Sequence, residues 1–296
     1  MDLIGSRDVV GKALQSARAR GASVAFVPTM GALHGGHVSL MTAARGDCDV
    51  VAVSIFVNPT QFGDAADLAS YPRNLDTDLE LCAAAGVDVV FAPSLAEMYP
   101  EGSLDTAVVP GVLADVLEGP SRPGHFTGVA TIVTKLLSIA GSCRAYFGEK
   151  DFQQLVIVRR LVADLDLPVE VVGCPTVREP DGLAMSSRNG RLAPDERAAA
   201  RALFQALSAG AQAVAEGECS GAAVASLMGG VLGAEPLVAA DYTAVADPVT
   251  LQTATEIASE VRLLVAAAVG PVRLIDNVAA APGSPGGLFP AAEADR

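Results

Sequence analysis

The stretch Val24-Ala25-Phe26-Val27-Pro28-Thr29-Met30-Gly31-Ala32-Leu33-His34-Gly35-Gly36-His37 sets the reading of the whole chain. Val24 to Val27 are apolar with β-branched ends and predict a short buried strand. Pro28 is expected to stop it. Gly31, Gly35 and Gly36 let the backbone turn tightly and come close to a ligand. From Val38 to Ala44 the spacing and the residue types predict a helix. A turn between a strand end and a helix start aims free N–H groups at an anion. His34 and His37, three apart, fall on one face of the first helical turn, with ring N–H groups suited to phosphate oxygens. The glycines alone fit an ordinary turn with solvated histidines equally well. Yet the chain has only three histidines, and two stand here.

Outward from this stretch, strands and helices alternate. Asp49 to Val57 is a near-continuous β-branched run, the pattern of a central parallel strand buried on both faces. Residues 6 to 20 and 74 to 85 predict helices, and Val87 to Phe91 predicts a third strand closed by Pro93. Phe126 to Ala140 and Phe152 to Leu165 predict helices around the strand Cys143 to Phe147; Val169 to Cys174 predicts another strand. This order predicts an α/β fold, a doubly wound, Rossmann-like parallel sheet, with ligands beyond the strand C-termini. From Val177 the character changes, so a first domain is expected over 1–176 and a smaller α+β domain over 177–296. There the sequence predicts Ala-rich helices over Pro194 to Glu216 and Gly221 to Leu232. Strands follow over Val238 to Ala246, Val261 to Val269 and Val272 to Val278, the last two forming a hairpin about Gly270-Pro271. The Gly/Pro-rich tail from Ala281 is expected to be loose.

Composition narrows the function classes. Hydrophobic residues make up 51% and charged residues 18% of 296, which suits a globular chain with a large core. The net charge of -14 and the absence of any Lys/Arg cluster argue against a nucleic-acid partner. An anionic ligand must be held by a local pocket against the field of the whole molecule. No apolar run is long enough to span a bilayer, and Met1 to Arg7 shows no signal-peptide core, so no membrane and a cytoplasmic location are expected. The five cysteines are scattered, with no Cys-x-x-Cys pair, which suits reduced thiols rather than a zinc site, a disulfide framework or a catalytic thiol. Gly5 to Ala13 looks superficially like a P-loop. Its glycine spacing is one too long, and Ala13 stands where a Ser or Thr would hold magnesium.

Three further stretches carry chemistry. Ser54-Ile55-Phe56-Val57-Asn58-Pro59-Thr60-Gln61-Phe62-Gly63 leaves a strand and turns at Asn-Pro; Gln61 offers an acceptor and two donors to a small hydroxy acid. Phe147-Gly148-Glu149-Lys150-Asp151-Phe152-Gln153-Gln154 also follows a strand and opens a helix. Lys150, one of three lysines, supplies a point charge for phosphate. Asp151 suits ribose hydroxyls or a helix cap, and Gln154 lies one turn beyond Lys150. Within Pro175 to Asn189, the run Met185-Ser186-Ser187-Arg188 places two hydroxyls before an arginine, a clamp for phosphates. Ser121 to Phe126 reads as a loop before a helix with a structural His125. Asp76 and Asp78 fall in the 74–85 helix and are expected to be solvated; neither is assigned to a metal.

The Thr-Met-Gly-Ala-Leu-His-Gly-Gly-His block resembles the His-x-Gly-His signature shared by class I aminoacyl-tRNA synthetases and nucleotidylyltransferases. Met185 to Arg188 is similar to the Lys-Met-Ser-Lys-Ser loop of that superfamily, but has no lysine at either basic position. With Asn-Pro-x-Gln-Phe, Gly-Glu-Lys-Asp-x-Gln-Gln and Arg-Glu-x-Asp-Gly-Leu-Ala-Met-Ser-Ser-Arg-Asn in this order, the chain to about Leu192 resembles the pantothenate synthetases (pantoate–β-alanine ligases). The resemblance implies ATP-dependent condensation of pantoate with β-alanine through pantoyl adenylate. It implies an ATP site at Met30, Gly31, Ala32, Leu33, His34, Gly35, Gly36, His37, Gly148, Glu149, Lys150, Asp151, Val177, Met185, Ser186, Ser187 and Arg188. Among these, His37 (a proton donor in the family), His34, Lys150, Ser186, Ser187 and Arg188 would serve the chemistry. Gln61 and Gln154 would hold pantoate, with Gln61 also meeting β-alanine. Mg2+ would ride on the ATP phosphates with no dedicated protein site, and a homodimer through the N-terminal domain is implied. A transferase moving AMP onto a phosphate shares the His-x-Gly-His site, and a non-catalytic ATP-binding module is the remaining alternative.

Overall fold

A computed structural model describes residues 1–63, 65–102 and 105–284. The chain divides into two compact units, Met1–Val177 and Arg178–Arg296.

The first unit holds the strands β1 (Asp2–Ile4), β2 (Val24–Thr29), β3 (Val50–Ile55), β4 (Val89–Phe91), β5 (Cys143–Gly148) and β6 (Val169–Cys174). They form one parallel sheet in the order β1-β4-β3-β2-β5-β6. Between them lie α1 (Arg7–Ala19), α2 (Gly35–Asp47), α3 (Ala65–Ser70), α4 (Leu75–Ala84), α5 (Leu95–Met98), α6 (Glu118–Ser121), α7 (His125–Ala140) and α8 (Phe152–Asp164). The sheet grows from β2 through β3 and β4 in one direction, then resumes with β5 on the other side of β2. The gap between β2 and β5 is therefore the topological switch point, where open α/β sheets bind ligands.

Central position explains the composition of β2 and β3. Val24 to Val27 and Val51 to Val53 are buried, and neither face can carry a polar alternation. At the edge, β1 leaves Asp2 and Leu3 exposed and has only three residues, too few for a period to show in the sequence. Pro28 does not stop β2, contrary to expectation. The β2–β3 ladder runs through Pro28↔Ser54 to Thr29↔Ile55, whereas β2–β5 pairing ends at Phe26↔Ala145. Proline lacks an N–H, so it is tolerated where the ladder on one side has already opened. That opening is the switch-point cleft.

The second unit contains α9 (Pro194–Ala199), α10 (Ala202–Ala215) and α11 (Gly221–Gly233), then β7 (Val238–Ala246), β8 (Val261–Val269) and β9 (Val272–Ala280) in an antiparallel sheet. Leu203, Leu207, Val214, Val224 and Met228 join Leu263, Val265 and Leu274 in one core. Gly210 of α10 lets the two helices approach, since a Cβ there would sit 2.9 Å from Met228 Cγ. The expected single helix from Pro194 to Glu216 is broken at Ala200–Arg201. Arg201 N–H reaches back to Ala198 O, and its Nε donates to the same carbonyl at 2.9 Å, a tightened turn that separates α9 from α10. The hairpin turns at Gly270, whose φ of 54° suits glycine. Of the tail expected to be loose, Ala281 and Ser284 close a turn by an antiparallel bridge; residues 285–296 lie outside the described residues.

Candidate active site

Three strand ends converge on the switch point. A pocket of about 150 Å³ opens there, walled by Phe56, Val129, Ile132, Val133, Leu136 and Phe147. Its polar atoms come from Thr29, His37, Asn58, Gln61, Tyr71, Asp151 and Gln154. The structure thus brings Met30, His37, Gln61, Asp151 and Gln154 around one cavity, although Met30 and Gln154 stand 124 positions apart in the chain.

The two histidines form a reciprocal cap. His34 is the N-cap of α2, and its Nδ1 accepts the Gly36 N–H at 3.2 Å. His34 N–H in turn donates to His37 Nδ1 at 3.3 Å, and the ring centroids lie 4.2 Å apart. Since both Nδ1 atoms accept, each neutral ring carries its proton on Nε2. Burial, then the neighbouring His34, pushes His37 down to about 3. Burial, then the Lys150 ammonium, lowers His34. Two neutral imidazoles with fixed Nε2–H donors are therefore present at physiological pH. The N–H groups expected to be free for an anion are largely used within the protein: Gly36 and His34 as above, and Ala32 and Leu33 by Asp78.

Lys150 lies in the turn between β5 and α8, with Nζ 3.6 Å from Asp151 Oδ1. Gly148 and Glu149 are partly buried in the same turn. The next glutamines in the sequence divide the work. Gln154 lines the pocket, whereas Gln153 is 4% exposed and donates to Leu113 O and Val116 O, both at 2.8 Å.

Gln61 is buried at the end of the Pro59–Gln61 turn, its Nε2 2.8 Å from Met30 Sδ. Asn58 holds this turn: its Nδ2 donates to Gln61 Oε1 and Gly128 O, both at 3.3 Å, and its Oδ1 accepts from Tyr99 Oη at 2.6 Å. Gly128 is needed there because a Cβ would lie 2.3 Å from Thr60 O. His125 closes the arrangement, with Nδ1 2.8 Å from Gln61 O and Nε2 2.9 Å from Arg122 Nη1. A guanidinium can only donate, so Nε2 accepts and Nδ1–H donates to the Gln61 carbonyl.

The model of the pantoate-beta-alanine ligase family matches residues 3–279. The chain belongs to the pantoate–β-alanine ligase family. It is 53% identical over 272 residues to pantothenate synthetase of Chloroflexus aggregans, covering 91% of this chain and 98% of that one. It is 50% identical to the Moorella thermoacetica enzyme, covering 94% and 98%. The crystal structure of pantothenate synthetase from Thermus thermophilus superposes with a TM-score of 0.89 at 46% identity over 94% of this chain and 99% of that one. The ligase from Francisella tularensis, solved with β-γ ATP and β-alanine, gives 0.77 at 35% identity over 94% and 97%.

Of the other signature positions, Val177 ends the first unit, and Met185, Ser186, Ser187 and Arg188 lie partly buried in the second. Ser186 caps the short turn Ser187–Arg191 by accepting the Arg188 N–H at 3.2 Å. Asp78 corrects an expectation: it is 3% exposed, not solvated, while Asp76 is exposed. Residues two apart face opposite sides of a helix, so Asp78 lies on the buried side with Cys82, four further on, and Asp76 faces outward. Burial pushes Cys82 and Cys174 up to about 11 and Cys143 up to about 12, so they stay protonated near pH 7.

Proposed function

We propose that this chain joins pantoate to β-alanine in two steps at the switch-point cleft, as the known reaction of its family requires. The pantoate carboxylate attacks the α-phosphorus of ATP, giving pantoyl adenylate and pyrophosphate. The β-alanine amine then attacks the acyl carbon, loses a proton, and AMP leaves. No protein nucleophile is needed; positioning and charge stabilisation supply the rate.

The observation that carries this reading is the pairing of an apolar wall with glutamines beside two neutral histidines. Val129, Ile132, Val133 and Leu136 of α7 suit the branched carbon body of pantoate, and Gln61 and Gln154 suit its hydroxyls and carboxylate. His34 and His37 offer Nε2–H donors, so on this reading His37 assists by hydrogen bonding rather than as an imidazolium acid. Lys150 adds a charge for phosphate. Gly31, Ala32, Leu33, Gly35, Gly36, Gly148, Glu149, Asp151, Val177, Met185, Ser186, Ser187 and Arg188 are assigned to ATP on the resemblance. A homodimer is assigned on the same ground; a cytoplasmic location is assigned on the composition, and the smaller C-terminal unit is assigned a lid role.

Mg2+ fits as a passenger on the nucleotide. Among the described residues no group of three or more His, Cys, Asp or Glu is placed to hold a metal, and magnesium in nucleotide sites takes most of its ligands from phosphates and water. Bound there, it would neutralise phosphate charge.

Pantoate-dependent exchange of pyrophosphate into ATP, with mass-spectrometric detection of pantoyl adenylate when β-alanine is withheld, tests the reading. Exchange that requires a phosphorylated acceptor instead would select a nucleotidylyltransferase. ATP binding with no AMP release in the presence of both substrates would select a binding module.

A further inference from the structure

We propose that Asp78 is a positioning residue for adenylation: its carboxylate clamps the Met30–Leu33 turn and thereby sets the two histidines. This rests on the ligase reading above. Asp78 stands in the first turn of α4, 3% exposed between exposed Thr77 and partly buried Leu79. Its Oδ2 accepts from Ala32 N–H at 3.0 Å and its Oδ1 from Leu33 N–H at 2.8 Å. Both oxygens of one buried carboxylate thus meet successive backbone donors. Such charge-assisted bonds are about twice as strong as neutral ones.

The turn needs the clamp. Gly31 has φ 81° and Ala32 φ 51°, two left-handed residues in succession, the second with a side chain. A non-glycine residue there is strained and persists only where the surroundings over-determine it. Convergent N–H groups around an anion do so. The fit is close: a Cβ on Gly31 would lie 2.8 Å from Asp78 Oδ2 and 3.1 Å from Ile55 Cγ2. Thr29 Oγ1 accepts the Gly31 N–H at 3.2 Å and donates to Ser54 O at 2.7 Å, tying the same turn to β3. Leu33 runs directly into His34, whose N–H meets His37 Nδ1. A displaced turn therefore carries the cap with it, and both Nε2–H groups move.

The helix supplies its own control. Asp76 has the same charge in the same first turn but is exposed, and no hydrogen bond joins it to the Met30–Leu33 turn among the described residues. Asp78→Asn keeps the shape, leaves one acceptor, and sets an amide N–H against a backbone N–H. Per folded protein, Asp78→Asn should lower kcat and kcat/KM for pantoate-dependent exchange together by about ten- to a hundredfold, the scale of small misplacements. Asp76→Asn should match wild type. Equal loss in both variants would make the effect one of bulk charge and overturn the proposal, as would wild-type kcat in Asp78→Asn. Wild type without pantoate-dependent exchange would instead remove the ligase reading. Amide hydrogen exchange on the wild-type chain needs neither activity nor a variant that folds: Ala32 and Leu33 N–H should be protected, and free-loop rates at both would overturn the clamp.

Discussion

Two turns of this chain carry signature residues, and each leans on one buried carboxylate in a different way. Asp78 grips Met30–Leu33 directly, carboxylate to backbone. In the second unit Asp276 grips the 178–184 turn at one remove, through a side chain. Arg178 pairs with it bidentately at 2.6 and 3.0 Å, donates to Gly182 O at 3.0 Å, and lies 4.2 Å over the Phe204 ring. Gly182, at φ 93°, must be glycine there because a Cβ would strike that ring. Asn189 Nδ2 then ties Ala184 O at 3.0 Å, and Met185 to Arg188 lie between, partly buried. The first turn has its backbone fixed and positions donors that are part of the fold. The second has a fixed base and offers side chains from it.

The comparison can be broken at four points. The largest effect should come from Asp276→Ala, which strands a guanidinium whose side chain is 13% exposed. Loss of a partner from a buried pair costs about 3–5 kcal/mol, read as a lowered urea midpoint for the second unit. A loss under about 1 kcal/mol would place this pair with the surface ones. Next, His37→Ala and Lys150→Ala should each slow adenylation by about 10²–10³. Near-normal exchange rates in both would end those role assignments.

Acid should act on the histidine turn. His37 titrates at about 3 folded against 6.5 for the ordinary group, so below pH 6.5 the unfolded chain binds more protons. The stability is fully present above pH 6.5 and is lost as pH falls toward 3, by about 2 kcal/mol at pH 5. Denaturation at both pH values should show this loss in wild type and a smaller one in His37→Gln; equal losses would assign the acid sensitivity elsewhere. The smallest effect is expected for Gln61→Ala, about tenfold in the pantoate KM with kcat little changed, as for removal of uniform binding. A fall in kcat alone would move Gln61 from capture to chemistry.

Much of the fold is legible in the sequence. The alternation of strands and helices follows from hydrophobic period and turn residues, which are local. Where the sequence failed, geometry that no single residue type announces decided. Pro28 reads as a strand stop until the neighbouring ladder is seen to end at Phe26. The Pro194–Glu216 helix reads as continuous because its break lies in the geometry of Ala200 and Arg201, not in a Gly or Pro.

By itself the sequence determined the α/β order, the family and the residue types available at the cleft, because each is written in short-range pattern. Tertiary structure alone decided which groups are donors. His34 and His37 became neutral Nε2–H donors through backbone N–H groups and burial, His125 took the other tautomer because Arg122 occupies its Nε2, and Asp78 rather than Asp76 became the buried anion. Protonation and hydrogen-bond direction depend on what lies within about 3 Å in space. The partners of Asp78 and the Gln61 carbonyl that meets His125 lie 45 to 64 positions away, beyond the reach of any local pattern, while the His34–His37 and Arg122–His125 contacts span two or three positions and form only once the turn is folded.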